Sequence, residues 1–150
     1  MSVVLAVFLD RSTMPSPPAW AKAIRSNGFD LDMDSDFDPA SFSGFLPCKY
    51  GGVDAGFEFL MDAVSSPELD ENAAARIGHR DTRVDFVTHS DLRELAASMI
   101  AAGVLCAMSD GVLWETEAGE IVPASRALEW ARSGEAGVKD ALTKFRPRRK

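Results

Sequence analysis

The sequence predicts an α+β fold: a mainly antiparallel sheet of about five or six strands packed against about four helices. Three observations predict it. Strand-like and helix-like segments alternate along the 150 residues without an internal repeat. Neighbouring strand segments meet at turns too short for a parallel crossover, at Gly51-Gly52 and at Glu117-Ala118-Gly119-Glu120. One long segment of helical period is rich in small apolar residues, as a helix lying close to a sheet must be.

Taken in order, Val3 to Leu9 is a run of Val, Leu, Ala and Phe suited to a buried strand. Arg11 to Pro18 reads as a loop with three prolines, and Pro17 or Pro18 can open a helix because first-turn residues need no amide donor. That helix is expected from about Ala19 to Asn27, with Trp20, Ala23 and Ile24 inward and Gly28 just past its end. Phe29, Leu31 and Met33 alternate with Asp30, Asp32 and Asp34, which is the period of a strand with one apolar and one acidic face. Ser41 to Gly52 holds Gly44, Pro47, Gly51 and Gly52 and reads as turn-rich, ending in a hairpin. Val53 to Met61 is the next strand, with Gly56 marking a bulge or a close backbone approach.

Ser65 and Glu68 stand at capping-box spacing around Pro67, a helix start, and Gly78 is its stop. Val84, Phe86 and Thr88 indicate a short strand. From Ser90, the series Leu92, Leu95, Ala96, Met99, Ile100, Gly103 follows the helical period and marks the central helix, whose Ala96, Ala97, Ala101, Ala102 and Gly103 permit a close approach to the sheet. Asp110-Gly111 ends it. Val112 to Thr116 and Ile121 to Val122 form a hairpin, and Pro123 and Ser125 begin a helix through Arg132 that Gly134 stops. A weaker helix is expected over Val138 to Phe145. The organisation is one globular domain over residues 1–143 and a basic, disordered tail over 144–150.

Charge narrows the function classes. The net charge is −7, but five of the 16 basic residues lie in the last seven positions, leaving 11 basic against 23 acidic side chains in residues 1–143. A surface that acidic repels a nucleic-acid backbone and suits a basic partner. The longest apolar run, Val3 to Leu9, is far short of the ~20 residues of a spanning helix, so no membrane partner is expected. Residues 1–10 lack basic residues ahead of that run and a cleavage site after it, and the two cysteines form no CxxC pair, so a cytoplasmic setting is expected.

Chemistry-bearing patterns are sparse. Asp30, Asp32, Asp34, Asp36 and Asp38 place carboxylates at every second position, yet a calcium loop needs Gly sixth and Glu twelfth. Counting from Asp30 those positions hold Ser35 and Ser41, and from Asp32 they hold Phe37 and Ser43, so the run is read as a solvated or partner-facing acidic edge. Ser109-Asp110-Gly111-Val112 resembles part of the first motif of haloacid-dehalogenase-like phosphatases, but Met108 stands where the nucleophilic Asp belongs. His79-Arg80-Asp81 matches a kinase triplet, with Phe86 in place of the required Asn. An alternative to a binding protein is a small hydrolase using Cys48 or Asp10 with His79 or His89, and a further one is an adaptor or structural subunit. No metal or cofactor is expected.

Trp20 with Ile24, Gly28-Phe29, Asp36-Phe37-Asp38, Ser43-Gly44-Phe45-Leu46-Pro47 and Gly56-Phe57-Glu58-Phe59, continued by Ser109-Asp110-Gly111-Val112, Glu117 to Glu120 and Ala127-Leu128-Glu129-Trp130, carry a resemblance. They resemble small bacterial immunity proteins associated with polymorphic or type VI secreted toxins, over residues 20–132. The resemblance implies a non-enzymatic protein that binds and blocks a cognate toxin. On an acidic chain the expected contacts are Asp32, Asp34, Asp36 and Asp38 on the acidic strand and its turn, and Trp114, Glu115, Glu117 and Glu120 on the hairpin, facing a basic toxin surface.

Overall fold

Period-two segments become one sheet. The computed structural model describes residues 2–64 and 71–144. Among these, seven strands are present: β1 (Val3–Leu9), β2 (Leu31–Met33), β3 (Gly44–Tyr50), β4 (Val53–Ala63), β5 (Thr82–Thr88), β6 (Val112–Glu115) and β7 (Glu120–Pro123). They lie in the order β2-β3-β4-β5-β1-β6-β7, with every pairing antiparallel. The helices are α1 (Pro17–Ser26), α2 (Glu71–Ile77), α3 (Leu92–Met108) and α4 (Ala124–Lys144), with a 3₁₀ turn at Arg11–Thr13. The expected α+β class and helix number hold, and the strand number exceeds the expected five or six.

The additional strand is β3, in the segment expected to be turn-rich. Pro47 is tolerated there because a residue's N–H and C=O point to the same side of an antiparallel strand. The Pro47 carbonyl accepts from the Asp34 amide at 3.1 Å, so the missing donor faces the end of the short β2 rather than β4. Gly51-Gly52 makes the expected hairpin, both residues at positive φ. Gly56 (φ 147°) is a close approach: a Cβ there would lie 2.5 Å from the Leu46 carbonyl oxygen and 2.5 Å from the Phe45 ring.

A second difference is α4, which runs without a break through Gly134, the expected stop. Its buried Ala127, Ala131 and Val138 keep the helical period across that glycine. Gly134 instead receives the side chain of Met99 from α3. Gly103 likewise faces α4 rather than the sheet, with its missing Cβ 2.7 Å from that of Ala131. Lys144, placed by sequence in the tail, is the last residue of α4 and pairs with Asp140 at 3.0 Å. The remaining tail, 145–150, and the expected helix start at Ser65, Pro67 and Glu68 lie outside the described residues.

The core lies on one face of the sheet. α3 crosses it, buried from Ala96 to Ser98 and from Ile100 to Cys106, with α1 and α4 on its flanks. Ser16 caps α1 and Pro17 and Pro18 occupy its first positions, which aims Trp20 and Ile24 inward. The Trp20 indole, fully buried, donates to the Ala101 carbonyl of α3 at 3.0 Å and meets Phe86 edge-on at 5.8 Å and Phe59 at 6.2 Å. Ala23, expected inward, is half-buried. On the other face, α2 places Ile77 with Ala6 and Phe8, and Val64 and Trp114 complete that small cluster. The outermost strands are short: β2 has three residues and β7 has four, ending in Pro123. No helix among the described residues is long and apolar enough to cross a membrane.

The glycines of α3 and α4 give a paired prediction. Gly103→Ala forces a methyl against Ala131 and the Ala127 carbonyl and is expected to cost about 1–3 kcal/mol, lowering the thermal midpoint by several degrees. Gly137 has open space within 4 Å of where a Cβ would stand, so Gly137→Ala should gain up to about 1 kcal/mol through helix propensity alone. Calorimetry of both variants checks the opposite signs.

Candidate functional site

Strand alternation decides where each expected contact residue lies. The strand β2 ends at Met33, so of the four aspartates only Asp32 is on it; Asp34, Asp36 and Asp38 belong to the following loop rather than to one strand face. All four are exposed. Asp32 and Arg25 pair at 3.2 Å, both well exposed. Asp34 accepts the Asp36 amide at 3.0 Å, and Asp38 accepts the Ala40 amide at 3.1 Å and the Ser41 hydroxyl at 3.2 Å, which are turn-forming bonds of the kind Asp makes in loops. No group of three or more His, Cys, Asp or Glu among the described residues is placed to hold a metal ion.

The second set lies elsewhere. β2 and β6 are five strand steps apart, about 24 Å. Glu115 stands opposite Glu120 in the hairpin pairing, and Glu117 is exposed in the turn. Partial burial, then the charges of Glu120 and Glu117, push the Glu115 carboxyl above its usual range. Trp114 of β6 is half-buried, stacked on Phe8 at 6.3 Å, with the Arg83 guanidinium 5.6 Å from its ring. The structure therefore does not unite the acidic loop and the hairpin into one patch. With Ala6 and Phe8, Trp114 lies on the sheet face opposite α3.

That face carries a surface beyond the expected contact residues. Register rows run across it: Phe45, Glu58, Val87 and Val4 in one, Leu60, Asp85, Ala6 and Trp114 in the next. Phe45 is 52% exposed and Leu60 45%. The signal legible in the sequence is phase: in β3 and β4 the buried set is Leu46, Cys48, Phe57 and Phe59, so Phe45 and Leu60 are large apolar residues on the polar phase.

The catalytic alternatives fare differently. Cys48 is buried beside Asp34, and burial pushes its thiol up to about 12, so it is protonated at neutral pH. Its sulfur contacts the Leu46 carbonyl, while the histidines bond elsewhere: His79 Nε2 lies 3.1 Å from Asp10, and His89 bridges Ser2 Oγ (3.2 Å) and Glu58 (3.1 Å). The Asp10–His79 pair is brought together and His79 borders a cavity of about 310 Å³ that also reaches Ile77 and Asp81. Asp81 is occupied in structure, accepting the Arg11 amide at 2.8 Å and the Thr82 hydroxyl at 2.9 Å, and the Arg11 amide above all holds its carboxyl below the usual range. Asp110, of the phosphatase-like segment, has φ 51° and gives its carbonyl to Arg80, so that segment is a turn between α3 and β6.

Comparison with known proteins finds no matching family model, no curated relative and no matching solved structure.

Two measurements follow from these environments. With both thiols buried and pushed up to about 12, alkylation by iodoacetamide at pH 7.5 should be slow in the folded protein and reach both cysteines in denaturant. For Glu115, a folded pKa above the unfolded one means that its ionisation opposes folding: the associated stability is present at low pH and lost as pH rises through the folded pKa. Glu115→Gln is therefore expected to raise the thermal midpoint at pH 7, with the gain disappearing below about pH 4, where both carboxyl and amide are neutral.

Proposed function

We propose that this chain is a non-enzymatic binding protein, and specifically an immunity protein that neutralises a cognate bacterial toxin in the cytoplasm by occluding its active site or substrate surface. The observation that carries the reading is the outward display of Asp32, Asp34, Asp36 and Asp38, with Asp34 and Asp38 fixed by turn hydrogen bonds, on a chain whose first 143 residues hold 23 acidic against 11 basic side chains. A partner with a basic surface is drawn to such a display by long-range attraction, and nucleic acid is repelled by it. Charge of this kind raises the association rate, while buried apolar contact sets the lifetime of the complex. Trp114, Glu115, Glu117 and Glu120 form the second proposed contact, toward the opposite edge of the sheet.

One observation favours a second reading. Asp10 and His79, 3.1 Å apart with His79 bordering a cavity, are a carboxylate–imidazole pair of the kind hydrolases use. Cys48, protonated and bonded away from both histidines, does not support it.

The test is co-expression with the product of the adjacent gene. Toxicity of that product relieved by this chain supports the proposal, and relief retained by Asp10→Asn excludes the hydrolase reading. No relief of a toxic neighbour, or a neighbour without toxicity, favours an adaptor instead. With the complex in hand, Asp32, Asp34, Asp36 and Asp38 changed together to Asn should leave the fold intact, because Asn Oδ1 can accept the same turn amides. Stopped-flow binding of that variant should show association slowed several-fold at low salt and little changed at 1 M salt, where screening reaches only about 3 Å.

A further inference from the structure

An asparagine followed by glycine is the most readily hydrolysed amide a chain can carry, because glycine has no side chain to screen its backbone nitrogen from the neighbouring amide. The sequence holds two asparagines, Asn27 and Asn72, and only Asn27 precedes a glycine. In the reaction the Gly28 nitrogen gives its proton to a solvent base and forms a bond to Asn27 Cγ. The Cγ–Nδ2 bond breaks, ammonia leaves, and a five-membered imide is closed. Water then opens the imide at either carbonyl, giving aspartate or isoaspartate. The sum is amide plus water going to carboxylic acid plus ammonia, so solvent is the co-reactant.

In the fold each atom of that reaction is held away from it. Asn27 is the C-cap of α1, at φ −87° and ψ 7°. At that ψ the Gly28 nitrogen eclipses the nitrogen of Asn27 and is turned away from its Cβ, and hence from the Cγ it has to attack. The Gly28 N–H donates to the Arg25 carbonyl at 3.0 Å, and Asn27 Nδ2 donates to the Ala23 carbonyl at 2.8 Å. Nucleophile and leaving group are thus tied to two different carbonyls of the last helical turn. Arg132 of α4 holds the turn from outside: its Nη2 donates to the Asn27 carbonyl at 3.1 Å, and its guanidinium lies 5.5 Å from the ring of the buried Phe29. One side chain therefore clamps the residues on both sides of Gly28. Gly28 itself, at φ 86°, has nothing within 4 Å of where a Cβ would stand, so the bonds and the ψ angle, rather than packing, obstruct the reaction.

We propose that Asn27 is a spontaneous deamidation site latched by the C-cap of α1 and by Arg132, its amide being lost through opening of that turn. The step runs one way. An ionised carboxylate at residue 27 cannot donate to the Ala23 carbonyl, and it places negative charge at the negative end of the helix dipole. Asp30 and Asp32, which share Arg25 at 3.3 and 3.2 Å, already crowd that end with like charge. The isoaspartyl product also lengthens the main chain by one carbon ahead of Gly28, which moves the Asn27 carbonyl off Arg132. Each opening that reacts removes a molecule from the pool that can close again. The site is independent of what the chain binds.

The experiment incubates the full chain at mildly alkaline pH, folded in buffer and unfolded in guanidinium chloride. Tryptic peptide 26–49 is followed by mass and by isoaspartyl methyltransferase labelling, with Asn27→Gln as the control for the position of the product. The folded chain should react at least about tenfold more slowly than the unfolded one, since only the opened turn is competent. Arg132→Ala, folded as judged by circular dichroism, should react about two- to tenfold faster than the parent in buffer, the effect of one lost hydrogen bond, and at the parent's rate in guanidinium. Equal rates in the folded and unfolded chain, no product at residue 27 in guanidinium, or an unchanged rate for folded Arg132→Ala would each overturn the latched site.

Discussion

The close contact between α3 and α4 is the constraint from which the rest of the structure follows. α3 is buried along most of its length, and a helix in that position has little polar face to give to water. It can serve only if its neighbours come within backbone distance. Gly103 against Ala131, and Gly134 against Met99, make that approach possible. The same small-residue surface lets the Trp20 indole reach a carbonyl in the middle of α3, so α1 is fixed by a directional bond as well as by packing. Tyr50 then donates to Glu135 at 2.8 Å and ties the end of β3 to α4, and Arg132 reaches the Asn27 carbonyl at the end of α1 at 3.1 Å. Two helices, α1 and α4, and the strand β3 are thereby referenced to one buried helix.

Much of this is legible in the sequence, and the exceptions share a cause. Period and cap residues place β1, α1, β2, β4, β5, α3 and the β6–β7 hairpin. Pro47 and Gly134 mislead because each reads as a local breaker while tertiary contact gives it another role. The Pro47 ring points its missing donor past the end of a three-residue strand, and Gly134 makes room for a methionine from the neighbouring helix. Neither fact can be read from residues adjacent in sequence.

For the surface, sequence identifies the acids but not their arrangement. Exposure of Asp32, Asp34, Asp36 and Asp38 follows from the cost of burying charge, although only Asp32 owes it to strand alternation. That the hairpin carrying Trp114 lies five strands away is a matter of topology, since the N-terminal β1 stands between β5 and β6, which reach its two sides only much later in the chain. Phe45 and Leu60 are visible in the sequence as apolar residues, but their outward phase becomes meaningful only once the register of β3, β4 and β5 is known.

The blunt margins of the sheet bear on how anything can be added to it. A long edge strand offers a ladder of free amides on which another chain can extend the sheet, the route to β-augmentation and to cross-β polymers. Here the outer strands offer three and four residues, one flanked by aspartates and the other closed by a proline. Growth in the plane of the sheet is thus discouraged at both ends, and a molecule with apolar side chains displayed on its open surface can remain dispersed. What is left to an incoming chain is approach along the sheet normal, where side chains rather than backbone groups choose the companion.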